Sequence, residues 1–238
     1  MLGLTPLGLY GIGFRITSVV SLLMQAFQGA ITPIIYSRYQ EESARAEISR
    51  IFRLFVFFAL LVFVAISLFA REIVMLLTTP AYHSAYVLVP FLVADQFLSG
   101  MYVFAPGLAI AKKTRYLAVI NIYGAAFSVL MSIALIYLAG IIGAAIAASI
   151  KSFVLLVVQM HLSQKFYRVP HKYRKILLSF CSCTVLVLLG YAVDQFFLFQ
   201  TSVFLKSLIF TLCIPTLICN GLVHRSEIGL YLSKLSSR

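Results

Sequence analysis

The sequence predicts an all-α protein, a polytopic bundle of about seven transmembrane helices. Of its 238 residues, 62% are hydrophobic and only 11% are charged, which is far more apolar sequence than a soluble core needs. Seven apolar stretches are long enough to cross a bilayer, since about 20 helical residues span its hydrocarbon core. They lie at about residues 9–33, 54–77, 85–111, 116–138, 141–161, 176–196 and 203–222.

Basic residues are concentrated in every second connection between these stretches. Four lie in residues 37–53, three in 112–115, five in 163–175 and three in the tail 224–238, whereas the three intervening connections contain none. Loops rich in lysine and arginine stay in the cytoplasm. We therefore expect the basic loops and the C-terminus in the cytoplasm and Met1 outside.

The first stretch would insert with its N-terminus outside, although the chain is apolar almost from its first residue. Segments of this kind normally follow an upstream helix, so we expect the chain to be the C-terminal part of a larger transporter. A complete seven-span protein that inserts N-terminus first is the alternative. The first apolar run has no basic segment before it and no cleavage-site pattern after it, so we expect no signal peptide.

Two of the stretches are irregular. Pro33 ends the first, and the third is interrupted by Pro90, Gly100, Pro106 and Gly107, so we expect a kinked or broken third helix. Because a freed carbonyl in lipid is costly, this break should be buried in protein or line a cavity. The second stretch is interrupted by Arg71 and Glu72, and we expect Ile73–Leu77 to lie at the membrane interface.

The fifth stretch carries one full charge, Lys151, near the middle of residues 137–158. A two-residue turn at Ala139 and Gly140 precedes it. The small residues Gly140, Ala144, Ala147 and Ala148 share a helical face with the lysine. A lysine on such a stripe at membrane depth is expected to face protein or a wet cavity rather than lipid.

Three other stretches also have a polar face. These faces contain Arg15 and Gln25 in the first stretch, Asp95 with Ser99, Tyr102 and Pro106 in the third, and Asn121 in the fourth. Together with Lys151 they would enclose a hydrated cavity. We predict that Arg15 and Lys151 bind an anionic headgroup, such as the pyrophosphate of a lipid-linked sugar, and that Asp95 pairs with one of them when the site is empty.

A purely structural interpretation remains open. The Lys151–Asp95 pair would then only join two helices, and Arg15 would extend to the outer headgroups. Lys206, three residues into the last stretch, is predicted to be interfacial. Two roles are equally expected for Gln25, Gln28 and Asn121: contact with the substrate, or hydrogen bonding between helices.

Nothing in the sequence indicates an enzyme, a cofactor or a metal site. The four histidines lie in loops or at the ends of stretches, and no metal spacing, nucleotide loop or catalytic triad stands out. The four cysteines, all in apolar stretches, are interpreted as small packing residues. The net charge of +12 reflects membrane topology and does not indicate a nucleic-acid partner.

Two segments resemble the Wzx-type polysaccharide flippases of the MOP superfamily, which export O-antigen and capsule precursors. Residues 8–37, GLYGIGFRITSVVSLLMQAFQGAITPIIYS, are similar to a helix of that family that opens with Gly-x-Tyr and ends near a proline. Residues 111–121, AKKTRYLAVIN, followed by GIIGAAIAASI at 140–150, resemble the family's loop and Gly-x-x-Gly-Ala-Ala-x-Ala helix start. Ser132 and Tyr137 stand where relatives often have asparagine and proline.

The resemblance implies fourteen spans, of which this chain would hold the eighth to the fourteenth. Its divisions would be five spans of the second lobe in 1–162, a basic cytoplasmic loop at 163–175, two additional spans in 176–223 and a cytoplasmic tail at 224–238. The implied activity is alternating-access export of an undecaprenyl-pyrophosphate-linked oligosaccharide across the bacterial inner membrane. Partners would be the glycan, the membrane, and a missing N-terminal lobe or the glycan assembly machinery.

Three other classes of protein compete with this interpretation. A seven-span receptor or opsin shares the topology, but an opsin requires a Schiff-base lysine midway in its last span, where this chain has only Lys206 near the outer end. A multidrug antiporter of the same superfamily would want acidic cavity residues, whereas the intramembrane charge here is net basic. A polysaccharide polymerase would want a long periplasmic loop, and the sequence offers none.

Overall fold

The structure, a computed structural model, describes residues 4–41, 43–170, 173–196 and 199–222. The predicted tail 224–238 lies outside these residues. The secondary structure within them is helical throughout, with no strand among the described elements. The helices are α1 Leu4–Arg38, α2 Ala44–Leu68, α3 Ala70–Leu77, α4 Val89–Gly100, α5 Gly107–Ile110, α6 Thr114–Phe166, α7 Tyr173–Phe196 and α8 Phe199–Cys219.

Six helical segments are long and apolar enough to cross a membrane, which confirms the predicted all-α membrane bundle. They are Pro6–Arg38, Ala44–Leu68, Val89–Ile110, Thr114–Phe166, Tyr173–Asp194 and Thr201–Cys219. Large apolar side chains remain exposed on them, among them Leu22 (64% exposed) and Leu188 (63%). This is the surface expected of helices that face lipid.

Helix α6 is folded back on itself at the predicted turn. Ala139 and Gly140 leave helical geometry, and Gly140 has a φ of +59°. A Cβ on Gly143 would clash with the carbonyl oxygen of Leu135, whereas residues eight apart in a straight helix are separated by about 12 Å. The arms 114–138 and 141–166 therefore form an antiparallel hairpin.

The chain forms two compact units. Unit 1 contains residues 1–48 and 70–169, and unit 2 contains 49–69 and 170–238. One boundary falls inside the basic segment 163–175, where the sequence changes composition. Residues 49–69, predicted from the sequence to belong with the first five spans, pack in the structure with α7, where the rings of Phe63 and Phe180 stack at 6.2 Å.

In unit 1, α1, α4 and the second arm of α6 run in the same direction. Gly13 of α1 lies against Leu92, and Gln28, further along, hydrogen-bonds to Gly100. Ser149 and Ser152 hydrogen-bond in the same order to Phe91 and Asp95. The C-terminal ends of these three elements consequently lie at one end of the unit.

Contacts between the segments at and just after these C-terminal ends confirm that the ends lie close together. The Tyr167 hydroxyl donates to the Tyr39 carbonyl at 3.1 Å, the Arg45 guanidinium lies 5.1 Å from the centre of the Tyr167 ring, and the Tyr116 and Phe166 rings are 6.1 Å apart. We call this the basic end of unit 1. Its exposed cations are Arg38, Arg45, Lys112, Lys113, Arg115, Lys165 and Arg168.

The predicted break in the third span is confirmed, and two backbone groups beside it are hydrogen-bonded to side chains within the protein. A 3-10 turn, Met101–Phe104, separates α4 from α5. The Gln28 amide donates to the Gly100 carbonyl at 2.9 Å, and the Gly107 N–H donates to Ser163 Oγ at 2.8 Å. These two backbone groups of the break are therefore not left unpaired in lipid.

Unit 2 contains an antiparallel pair of helices, α7 and α8. The Asn220 amide donates to Ser182 Oγ at 3.1 Å near one end, and Asp194 meets Lys206 near the other. Cys183 and Cys213 are both buried, with their sulfurs 3.9 Å apart and no disulfide between them. They act as small packing residues, as predicted.

Candidate functional site

Unit 1 contains a cavity of about 480 Å³ bounded by α1, the broken segment α4–α5 and both arms of α6. Half of the side chains that line it are polar, which is unusual for a pocket among such apolar helices. These residues are Thr32, Tyr36, Ser99, Tyr102, Asn121, Lys151, Ser152 and Gln159. A cavity of this size and composition suits a small polar ligand.

Lys151 provides the cavity with a positive charge. Its Nζ lies 3.4 Å from Asp95 Oδ1, and the two side chains are 27% and 14% exposed. Ser152 Oγ donates a hydrogen bond to the same carboxylate oxygen. The carboxylate is thereby held at the cavity wall, while the ammonium keeps donors that a ligand can reach.

Small side chains bring the second arm of α6 close enough to α4 for this pair to form. Ala145 is fully buried and packs in one cluster with Leu88 and Leu92. Ser149 Oγ, one turn later, donates to the Phe91 carbonyl at 2.7 Å. Ala147 of the predicted stripe is also buried, but the face that contacts α4 contains Ala145, Ser149 and Ser152.

The cavity includes some of the predicted site residues. Lys151 and Asn121 line it, and Asp95 contacts it through its pair with Lys151. Ser99, Tyr102 and Pro106, predicted to share a side with Asp95, also line it.

Arg15 and Gln25 do not line this cavity, and both are exposed. The buried face of α1 runs through Gly13, Thr17, Val20 and Met24. Arg15 is two residues from Gly13 and from Thr17, so it points about 200° away from that face. Within the described parts of the chain neither side chain has a hydrogen bond or an ion pair. The structure therefore does not bring Arg15 together with Lys151 in this cavity.

Four polar residues of the cavity were not predicted from the sequence, namely Thr32, Tyr36, Ser152 and Gln159, and Tyr102 was given no role there. The tyrosine rings are 42% and 52% exposed. The Tyr102 hydroxyl donates to Gln28 Oε1 at 3.2 Å, which fixes the ring beside the cavity. A tyrosine near the end of a span is usually an interfacial residue, so these positions carry no special signal in the sequence.

Lys206, predicted to be interfacial, forms a buried ion pair in unit 2. Its side chain is fully buried, and its Nζ lies 2.7 Å from Asp194 Oδ2. Ser202 Oγ donates to the other carboxylate oxygen at 2.6 Å. Asp194, near the end of α7, thus supplies Lys206 with a partner from the neighbouring helix.

The described residues contain no group of three or more His, Cys, Asp or Glu side chains placed to hold a metal ion. Models of known protein families, curated proteins and solved structures gave no match to this chain.

Proposed function

We propose that this chain is part of a transporter that carries an undecaprenyl-pyrophosphate-linked oligosaccharide across the bacterial inner membrane by alternating access, as in the Wzx-type flippases. The observation that carries the proposal is a lysine midway along a spanning helix whose ammonium reaches a polar cavity. The cavity would receive the anionic headgroup of the substrate.

The energetics of a charge in the membrane support a functional role for Lys151. A charged residue at the centre of a spanning helix costs about 2.5–3.5 kcal/mol on insertion scales. Lys151 lies 15 residues before the end of α6, which places it about 22 Å from that end. A compact ammonium with free donors at this depth suits a phosphate oxygen.

Asp95 would act as an internal counter-ion while the cavity is empty. Its 3.4 Å distance from Lys151 is longer than the roughly 2.7–2.9 Å of a tight charge-assisted hydrogen bond. An incoming phosphate can therefore take over the ammonium, while Ser152 continues to donate to the carboxylate. The multidrug-antiporter alternative would instead need Asp95 unpaired for a cationic substrate.

The course of the chain also supports the proposed topology. If the two arms of α6 cross separately, the chain has seven spans. The parallel direction of α1, α4 and the second arm of α6 gathers their basic connections at one end of unit 1. We propose that this end faces the cytoplasm, and that a reporter fused after Arg238 is active only there; a periplasmic signal would overturn this orientation.

One observation favours the receptor or opsin class as a second candidate. Lys206 in α8 is fully buried beside Asp194, as a Schiff-base lysine with a counter-ion would be. Incubation of the protein with retinal and borohydride distinguishes the two: an adduct on Lys206 would support the opsin class, and we expect none.

The proposed function is tested by export in cells that supply the other lobe. Lys151→Ala should abolish glycan export at unchanged protein level, because the cavity loses its cation. Arg174→Ala is the control, since Arg174 is an exposed cation of unit 2 that does not line the cavity. Wild-type export by Lys151→Ala would refute the headgroup role.

A further inference from the structure

The cavity has a charged part and an aromatic part that lie at different depths. Lys151 and Gln159 both line it from the second arm of α6, and eight helical residues separate them by about 12 Å. Tyr36 lies two residues before the end of α1 at the basic end of unit 1. The cavity thus extends from Lys151, at its deep part, towards the basic end.

The shallower part presents two aromatic rings together with neutral polar groups. Tyr36 and Tyr102 are 42% and 52% exposed, and both line the cavity. Asn121 and Gln159 add side-chain amides, and Thr32 adds a hydroxyl. Amides and hydroxyls both donate and accept hydrogen bonds, and an aromatic face offers a flat apolar surface. This is the chemistry that binds a sugar ring, which has hydroxyls at its edge and C–H groups on its faces.

We propose that the cavity binds a glycosyl phosphate, with the phosphate at Lys151 and the attached sugar against Tyr36 and Tyr102. This inference rests on the proposed function and specifies the part of the substrate that enters unit 1. A volume of about 480 Å³ lies in the range of small-ligand sites, about 300–1,000 Å³. It accommodates a phosphate with its first sugars and leaves the rest of an oligosaccharide outside.

The charge distribution fixes the orientation of this ligand. Seven exposed cations surround the basic end of unit 1, and a positive rim raises the local concentration of anions. The described anionic residues of that end are Glu41 and Glu47. The phosphate therefore enters from the basic end and moves past the tyrosines to Lys151.

The experiment measures equilibrium binding to the purified full chain in lipid nanodiscs by calorimetry. The probes are glucose 1-phosphate, inorganic phosphate and methyl glucoside, each at millimolar concentration. Wild type should bind glucose 1-phosphate about tenfold more tightly than inorganic phosphate, and methyl glucoside most weakly. Tyr36→Ala and Tyr102→Ala should remove this tenfold preference without changing phosphate affinity.

Two control variants separate a binding role from a structural one. Tyr102→Phe keeps the ring and should stay within about threefold of wild type for glucose 1-phosphate. Tyr123→Ala removes a 73% exposed tyrosine that does not line the cavity, and should change nothing. Circular dichroism of each variant verifies that the helices are retained.

The outcomes separate this inference from the proposed function. If Lys151→Ala weakens both phosphate probes while the tyrosine variants keep the preference for glucose 1-phosphate, the sugar platform is refuted and the headgroup role stands. Equal wild-type affinity for the two phosphate probes also refutes the platform. If wild type binds neither phosphate probe, or Lys151→Ala binds both normally, both proposals fail.

Discussion

Each unit of this protein contains one lysine–aspartate pair between spanning helices, and the two pairs differ in distance and in exposure. In unit 1 the Lys151–Asp95 distance is 3.4 Å, and the side chains are 27% and 14% exposed. In unit 2 the Lys206–Asp194 distance is 2.7 Å, and the exposures are 0% and 10%. A serine hydroxyl donates to the carboxylate in both.

The difference shows how one pair of residue types serves two purposes. A short, sealed pair satisfies both charges completely and joins α7 to α8. A longer pair at a cavity wall leaves donors of the ammonium open to a ligand. Among helices in lipid, where an unpaired charge is costly, access to a cavity distinguishes a candidate binding residue from a structural one.

The largest expected effect is the loss of the sealed pair. Lys206→Ala leaves the Asp194 carboxylate buried without its cation, which destabilises a protein by about 3–5 kcal/mol. Thermal unfolding in detergent should show a strongly lowered Tm. The double variant Lys206→Met with Asp194→Leu should recover much of the loss, because an apolar pair leaves no buried charge. An unchanged Tm for Lys206→Ala would mean that the pair is not sealed.

Disturbing the packing of α5 against α6, beside the unit 1 cavity, should have the next largest effect. A Cβ on Gly107 would clash with the Ser163 carbonyl oxygen, so Gly107→Ala forces α5 away from α6 at a cost of about 1–3 kcal/mol. The Tm and the affinity for phosphate should both be lowered. Gly29→Ala is the matched control, since its Cβ would meet nothing within 4 Å. Equal behaviour of the two variants would contradict this packing.

Neutralising the internal counter-ion should have a smaller effect, and of the opposite sign. Asp95→Asn keeps an acceptor for Ser152 but no longer competes for the Lys151 ammonium. Phosphate should bind about fivefold more tightly, equivalent to about 1 kcal/mol. Asp194→Asn, the equivalent change in unit 2, should leave phosphate binding unchanged. Weaker phosphate binding by Asp95→Asn would show that the carboxylate helps to form the site.

The smallest expected effect is that of Lys151→Ala on stability. Interhelical polar contacts in membrane proteins contribute about 0.6 kcal/mol on average, and Asp95 keeps both its cavity access and its hydrogen bond from Ser152. The free energy of unfolding should therefore fall by about 1 kcal/mol or less, far less than for Lys206→Ala. A loss as large as that of Lys206→Ala would assign the pair a structural role.

Much of the backbone was predictable because hydropathy and helix-breaking residues act locally. The apolar lengths predicted the spanning segments, Ala139–Gly140 predicted the turn of α6, and the proline–glycine set of the third span predicted its break. The Lys151–Asp95 pair was also expected, since both charges lie at membrane depth and each needs a partner.

The faces of the helices were less predictable, and α1 shows why. Residues that face lipid are as apolar as residues that face protein, so a polar stripe does not identify the packed side. The sequence therefore placed Arg15 and Gln25 inwards, whereas Gly13 and Met24 are the residues that approach α4. The ion pair of Lys206 was not predicted either, because its partner Asp194 comes from another helix.

The most direct test of the central claim is the accessibility of position 151. In a variant whose four native cysteines are replaced by alanine, Lys151→Cys is compared with Ala147→Cys, one turn earlier on the same helix and 1% exposed. A membrane-impermeant thiol reagent should modify the cysteine at 151, and the cysteine at 147 should stay unmodified. An unreactive cysteine at 151 would contradict an accessible lysine in the cavity of unit 1.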